Sequence, residues 1–199
     1  MASTARVKYT PEEYLALERK AEYKSEYING EIYAMSGASE AHNLITLNLA
    51  TEIRQQFKGR PCRVYSTDMR VKVSATGMHT YPDVVALCGG SKFDGGEVDT
   101  LTNPAAIVEV LSPSTEAYDR GEKFAHYRRL PSLQEYILIS QDKVSVEHYI
   151  RHGEEWIFTE LGDLSNTLHL TAVDCSVALR DIYDLVEFSK AEDTSGEQI

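Results

Sequence analysis

A glutamate stands where an apolar residue belongs. In the stretch AAIVEVLSPST, Ala105 to Thr115, the residues around Glu109 are those of a strand running from a buried core into a turn. An unpaired carboxylate in such surroundings costs several kcal/mol. The alternation of a strand puts Glu109 on one face with Ile107 and Leu111, and Val108 and Val110 on the other. A second carboxylate, Asp83, precedes the apolar run of YPDVVALC. If the two runs are antiparallel neighbours, the start of one faces the end of the other and the two carboxylates converge. Like charges that close need a counter-charge, and a hard divalent cation takes oxygen ligands of this kind. A third group is Lys123, which shares one helical face with Tyr127 and Leu130 at a four-then-three spacing, with Asp119 a turn earlier.

Each of these has a plainer reading. Glu109 can be half of a structural ion pair, with Lys123 as the other half, and Pro82-Asp83 can be no more than a strand edge. Lys123 can pair with Asp119 or run its stem along the core rim. His42 lies beside the Ile45 and Leu49 stripe of a helix and reads equally as a core-edge histidine. Glu31 follows a turn and reads equally as a solvated charge. Ser112 and Ser114 lack the G-x-S-x-G setting of a serine nucleophile. The segment SPST suits a turn that caps a helix through Ser114 or Thr115.

The elements that would position these residues follow from pattern. TPEEYLALERKA opens with a cap at Thr10, Pro11 in the first turn and Glu13 three positions on, a capping box. Asn29-Gly30 divides two β-rich runs, a hairpin signal. Ala41, Ile45, Leu49, Ile53 and Phe57 mark a long amphipathic helix. CRVYSTDMRVKVSA reads as one long strand or two short ones, and GGSKFDGGEVDTLTN as a mobile surface loop. After SPST comes a helix over EAYDRGEKFAHYRRL, then a three-strand meander of EYILIS, VSVEHYI and EWIFTEL, and a short helix over VALRDIYDLVEF. Mixed helix and strand in this order predicts an α/β layer fold around a central mixed sheet.

With 199 residues, 42% of them hydrophobic and 26% charged, the chain is expected to form a single domain over 1–188, with a polar, disordered tail over 189–199. No stretch is apolar and long enough to cross a bilayer, and the start carries no signal-like run, so a cytoplasmic protein is expected. Cys62, Cys88 and Cys175 lie far apart with no CxxC pair, so neither a zinc site nor a disulfide framework is expected. A net charge of −11 argues against indiscriminate nucleic-acid binding, while leaving room for a local basic patch or for carboxylates gathered around a metal.

YPDVVALC, AAIVEVLSPST and DRGEKFAHYRRLPSLQEYILIS, together with YINGEIYAMSGASEAHNLITLNLATEI, resemble the Uma2 family. This is a domain-of-unknown-function family grouped with endonucleases of the PD-(D/E)xK superfamily. The resemblance covers nearly the whole chain. It implies a restriction-endonuclease-like core: a central mixed β-sheet flanked by α-helices. It makes Asp83 the PD aspartate and Glu109 the (D/E) residue, both metal ligands. The superfamily's lysine should stand two positions after the glutamate, where this chain has Leu111. Lys123 on the following helix is its candidate replacement. Glu31 and His42 fall near the site by the same resemblance, with Tyr127 as a further candidate.

The expectation is therefore a Mg²⁺- or Mn²⁺-dependent endonuclease acting on DNA, with Asp83, Glu109 and the Val110 carbonyl as ligands. Lys123 would orient or activate water. Arg70, Lys72, Arg120, Arg128 and Arg129 are the expected phosphate contacts, and a homodimer the expected form for cutting both strands. The competing expectation is a nuclease-like module that binds nucleic acid or protein without cleaving, favoured by Leu111 and by the acidic net charge.

Overall fold

A computed structural model describes residues 7–188; the expected disordered tail, 189–199, lies outside the described residues. The first helix, α1 (Pro11–Glu18), starts as its sequence requires. The Thr10 hydroxyl accepts from the Glu13 N–H, and the Glu13 carboxylate accepts from the Thr10 N–H. The hairpin of β1 (Ser25–Ile28) and β2 (Glu31–Ala34) turns on Asn29 and Gly30, both at positive φ, 53° and 89°. Only a turn of the primed kind matches the twist of its strands there, and it favours these two residues. Next is α2 (Glu40–Gln56), capped by the Ser39 hydroxyl accepting from the His42 N–H. The stretch after it forms two strands, β3 (Cys62–Ser66) and β4 (Arg70–Val73), in different sheets.

Then come β5 (Met78–Thr80), β6 (Val84–Cys88), β7 (Thr100–Leu101) and β8 (Ala106–Leu111). The segment after SPST, expected as one helix, is helical without a break from Glu116 to Tyr127 but changes its winding in the middle. It runs as α3 (Glu116–Tyr118), a π-helical turn over Asp119–Lys123, and α4 (Phe124–Tyr127). The expected meander follows as β9 (Glu135–Ser140), β10 (Val146–His152) and β11 (Glu155–Leu161), all antiparallel neighbours. A hairpin of β12 (Thr167–Leu170) and β13 (Cys175–Ala178) and a short α5 (Leu179–Ile182) complete the described fold.

The central sheet has the order β11-β10-β9-β8-β6-β3. It is mixed, with β8 and β9 parallel and the other pairs antiparallel. Alternation along its strands feeds two cores. Val84, Ala86, Val108, Val110, Ile137 and Ile139 pack with Ile45, Leu49 and Ile53 of α2 and with the β12–β13 hairpin and α5. Val85, Leu87, Ile107, Tyr136 and Leu138 face the other way. That second face meets a second sheet of order β2-β1-β5-β4-β7, together with Phe124, Tyr127 and Leu130. The helices expected to flank the central sheet thus share the work with another sheet.

Two further expectations are corrected. The glycine-rich loop carries β7, which pairs in parallel with Arg70 and Val71, and Phe93 bridges to Leu101. More significantly, Cys62 and Cys88, expected to be unpaired, stand directly opposite each other in the β3–β6 register and form a disulfide. Cysteines 26 positions apart in sequence become cross-strand neighbours once the strands pair, and no local motif announces that. Cys175 stays a buried free thiol. Among the described residues no helix is long and apolar enough to cross a membrane.

Closing that loop constrains the unfolded chain, an effect worth about 2–4 kcal/mol. Urea unfolding of Cys62→Ser/Cys88→Ser should show a loss of that size. Thiol labelling of the unfolded, unreduced chain should find Cys175 alone; three reactive thiols would mean that the bridge does not form.

Candidate active site

The two sequence-selected strands are antiparallel neighbours. Val84 pairs with Val108 and Val85 with Ile107, so the register continues to put Asp83 opposite Glu109. At this crossing the Asp83 Oδ2 accepts from the Val110 N–H at 2.8 Å and lies 3.2 Å from His42 Nε2. His42 reaches it from the first turn of α2, whose start is fixed by the Ser39 cap. Ser39 in turn donates to the Gln141 side chain, tying the helix start to the β9–β10 connection.

Glu109 lies deeper. Its Oε1 is 3.0 Å from Lys123 Nζ and accepts from the Tyr127 hydroxyl at 2.7 Å. The Lys123 ammonium also lies 3.2 Å from Glu26 Oε1 and 3.5 Å from Asp119 Oδ1. Side-chain exposure is only 8% for Lys123 and 5% for Glu109, so the contact is shielded from solvent. Thr80 donates to Glu26 and its oxygen sits 3.3 Å from the Tyr127 hydroxyl, closing a ring of polar contacts around the ammonium. A dry interior strengthens such contacts and makes any missing partner costly.

The lysine is carried by the π-helical turn. Asp119 and Lys123, four positions apart and so on one face, are its buried residues. Tyr136, from β9, donates to the Asp119 carbonyl at 3.1 Å, anchoring a backbone group at the start of that turn. Isolated π-turns inside α-helices recur at functional sites. The alternative lysine position, Leu111, is buried among Phe124, Tyr127 and Ile107. An ammonium there would need its own partner in an apolar cluster.

Charge is unbalanced at the site. Glu26, Asp83, Glu109 and Asp119 face one lysine and one histidine. Burial pushes the Glu109 carboxyl well above the ordinary range; Lys123 opposes this, while Asp119, Asp83 and Glu26 add to it. Asp119 is raised too, chiefly by burial. Burial works against the Lys123 ammonium, but Glu109, Glu26 and Asp119 outweigh it and hold its pKa well above that of an ordinary lysine. Tyr127 stays protonated because burial, then Glu109 and Glu26, push its pKa up.

In kind, these donors fit a hard divalent cation, being carboxylate oxygens with an excess of negative charge. In arrangement, Lys123 holds the centre, and among the described residues no group of three His, Cys, Asp or Glu side chains is disposed to hold a metal ion.

Of the sequence-selected residues, Asp83, Glu109, Lys123, His42 and Tyr127 come together. Glu31 does not supply the hairpin's carboxylate at Lys123. It lies opposite Ile28 and accepts from the Tyr33 hydroxyl at 2.6 Å, while Glu26 from β1 meets the ammonium. Glu26 lies, like Glu109, in a strand whose residues are all buried, but its neighbours Lys24 and Ser25 give no apolar run to mark it.

The expected phosphate contacts fare differently. Arg70 is buried, 2.8 Å from Asp99, and donates to Thr100 and Tyr81. Lys72 pairs with Asp94, and Arg120 with Glu116 and Glu147. These side chains are committed to the protein itself. Arg128 is exposed, with its guanidinium over the Phe124 ring, and Arg129 is exposed.

This arrangement of sheets and site is a restriction-endonuclease-like fold. The crystal structure of a "putative nuclease belonging to DUF820" from Anabaena variabilis matches it with a TM-score of 0.72 at 21% identity, over 88% of this chain and 97% of that one. Residues 11–180 match Uma2, described as "Putative restriction endonuclease", and the chain belongs to that family. Two Synechocystis proteins of the same kind of length, "Uncharacterized protein slr1290" and "Uncharacterized protein sll1609", are 37% and 40% identical to it. The first alignment covers 88% of this chain and 92% of the relative, the second 76% and 86%. Nuclease is the activity class that the family brings.

Removing the ammonium should expose how much the cluster depends on it. Lys123→Met leaves buried carboxylates without a counter-charge, a loss of about 3–5 kcal/mol. Because the Glu109 pKa is raised on folding, the folded protein holds more protons between the ordinary glutamate value and the raised one. Stability therefore falls as pH climbs through that window. The wild-type Lys123 charge persists across it, since its own pKa lies above the ordinary lysine value. Urea unfolding at pH 8 and pH 5 should show a large deficit for Lys123→Met at pH 8 and a smaller one at pH 5. Equal stability of variant and parent at pH 8 would remove Lys123 as the counter-charge.

Proposed function

We propose that this chain is a metal-dependent nuclease that hydrolyses phosphodiester bonds of DNA, with Asp83 and Glu109 as ligands for Mg²⁺ or Mn²⁺. The observation that carries the reading is the convergence of these two carboxylates from opposed strands, with Lys123 at 3.0 Å from Glu109. A bound divalent ion would supply Lewis acidity toward the phosphate and a more acidic water. The chain's own residues supply the rest. Tyr127 fixes the Glu109 carboxylate by donating to it. His42 and the Val110 N–H fix Asp83 from two sides. Lys123 offers a positive charge, on a stem anchored by the π-turn, to oxygens that become more negative as the phosphate reacts.

A second reading is favoured by a specific observation. Lys123 and Glu109 touch directly and are both buried, as a purely structural ion pair would be. On that reading the chain is a nuclease-fold module that binds nucleic acid or a protein partner without cutting.

Cleavage assays on plasmid and oligonucleotides across Mg²⁺, Mn²⁺ and Ca²⁺ separate the two. The catalytic reading expects nicking that needs Mg²⁺ or Mn²⁺. Asp83→Asn keeps the size and an acceptor for the Val110 N–H, so it should fold normally and lose about 10²-fold or more in single-turnover rate, the scale of losing one charge-stabilising group. Calorimetric titration with Mn²⁺ should show binding by the parent and its loss in Asp83→Asn. No cleavage under any metal by well-folded protein, or wild-type nicking by Asp83→Asn, gives the site to the structural reading.

A further inference from the structure

In a chain of net charge −11, residues 53–67, IRQQFKGRPCRVYST, contain three arginines and one lysine and no Asp or Glu. These residues form the end of α2 and the edge strand β3 of the central sheet. Arg54, Lys58 and Arg63 are exposed, and among the described residues none of the three lies in an ion pair. Arg63 only donates to the Gly89 carbonyl at 2.9 Å. The fourth, Arg60, is committed. It donates to the Val173 and Asp174 carbonyls at 2.7 and 2.8 Å and lies 3.5 Å from the Asp174 carboxylate. The three unpaired cations contrast with Arg70, Lys72 and Arg120, all paired with carboxylates.

Two shallow, open depressions flank β3. One is lined by Arg54, Lys58, Tyr65 and Ser66, the other by Arg60, Cys62 and Arg63. The strand then runs to the candidate active site. Ser66 pairs with Val84, and the Thr67 N–H donates to the Asp83 carbonyl at 3.0 Å. At 3.2–3.4 Å per residue, Arg63 stands roughly 13 Å along the strand from Thr67. That is about four steps of a nucleic-acid strand at 3.4 Å each.

We propose that β3 and the end of α2 form the track for the nucleic-acid backbone, with Arg54, Lys58 and Arg63 contacting successive phosphates and the strand guiding the chain to Asp83. This rests on the nuclease reading and names the surface that reading needs. A polyanion suits exposed cations gathered at the end of α2 and on the adjoining edge strand, since such groups neutralise phosphates and release counterions. The assignment replaces Arg70, Lys72 and Arg120, which the fold uses for itself.

The test is fluorescence anisotropy of a labelled 20-mer, duplex and single-stranded, with Ca²⁺ present, over 25–200 mM salt. The triple variant Arg54→Gln/Lys58→Gln/Arg63→Gln changes only exposed side chains. A control of equal charge change is Lys8→Gln/Lys20→Gln/Lys92→Gln, also exposed. The track variant should bind about tenfold or more weakly near 100 mM salt, with a log–log salt slope shallower by about 2–3, near 0.9 per lost phosphate contact. The control should stay within about twofold of the parent in the same salt series. If the parent binds and the track variant matches it, or the control loses as much, the track is wrong while the nuclease reading stands. If polyglutamate displaces the oligonucleotide at equal charge concentration, the surface is one for acidic peptides and the proposal falls. If the parent binds neither DNA nor RNA, the nucleic-acid reading fails and the track with it.

Discussion

The site is organised by one ammonium group. Among the described residues Lys123 is the one cation paired with Glu26, Glu109 and Asp119, and it is almost fully withdrawn from water. Each of those carboxylates would be intolerable in place without it, and it would be intolerable without them. The requirement reaches into three parts of the fold. β8 must deliver Glu109, the β1–β2 hairpin must deliver Glu26, and the segment after SPST must deliver Lys123 with Asp119 beside it. The second sheet packs on the central one with this cluster at their junction, because Lys123 joins Glu26 of β1 to Glu109 of β8. The ion cluster therefore fixes how one sheet is set on the other at this end of the molecule, beyond what apolar packing specifies.

That same cluster is what a catalytic centre of this family would have to work with. A site rich in carboxylates and poor in cations attracts a divalent ion, yet Lys123 already satisfies the innermost oxygens. Asp83 differs from Glu109 in this respect. It is held by a backbone N–H and a histidine at the strand end, with side-chain exposure of 15% against 5%. The two carboxylates are thus unequal. Asp83 is the outer, more accessible carboxylate, and Glu109 is the inner one that shares its charge with the lysine.

The main frame was legible in the sequence where local physics decides. The capping box of Thr10 and Glu13, the Asn29-Gly30 turn, the stripe of α2 and the meander after Pro131 all form as their patterns require. Asp83 and Glu109 converge because β6 and β8 pair antiparallel, the one arrangement of the two apolar runs on which the convergence had depended. What stayed hidden depends on non-local or weak signals. DRGEK has the composition of an ordinary helix, and nothing local in it marks the π-turn it forms. Thr100–Leu101 is too short to show alternation and is a strand only because β4 lies beside it. Cys62 and Cys88 meet through sheet register, and Glu26 stands in no apolar run that would mark it.

The β8-to-β9 crossover carries a consequence for assembly. Glu109, Lys123 and Tyr127 all lie within this one parallel connection, so their mutual contacts close loops of fewer than twenty residues. Glu26 must be brought in across more than eighty residues. Since each doubling of a flexible loop adds only about 0.6 kcal/mol of closure entropy, the distant partner costs little more to recruit than the near ones. The difference lies in dependence. The crossover holds a complete acid–base pair within a single supersecondary unit, and the hairpin supplies the excess negative charge from outside it. A chain built this way can lengthen or shorten the connections between β2 and β6 while the inner pair keeps its geometry.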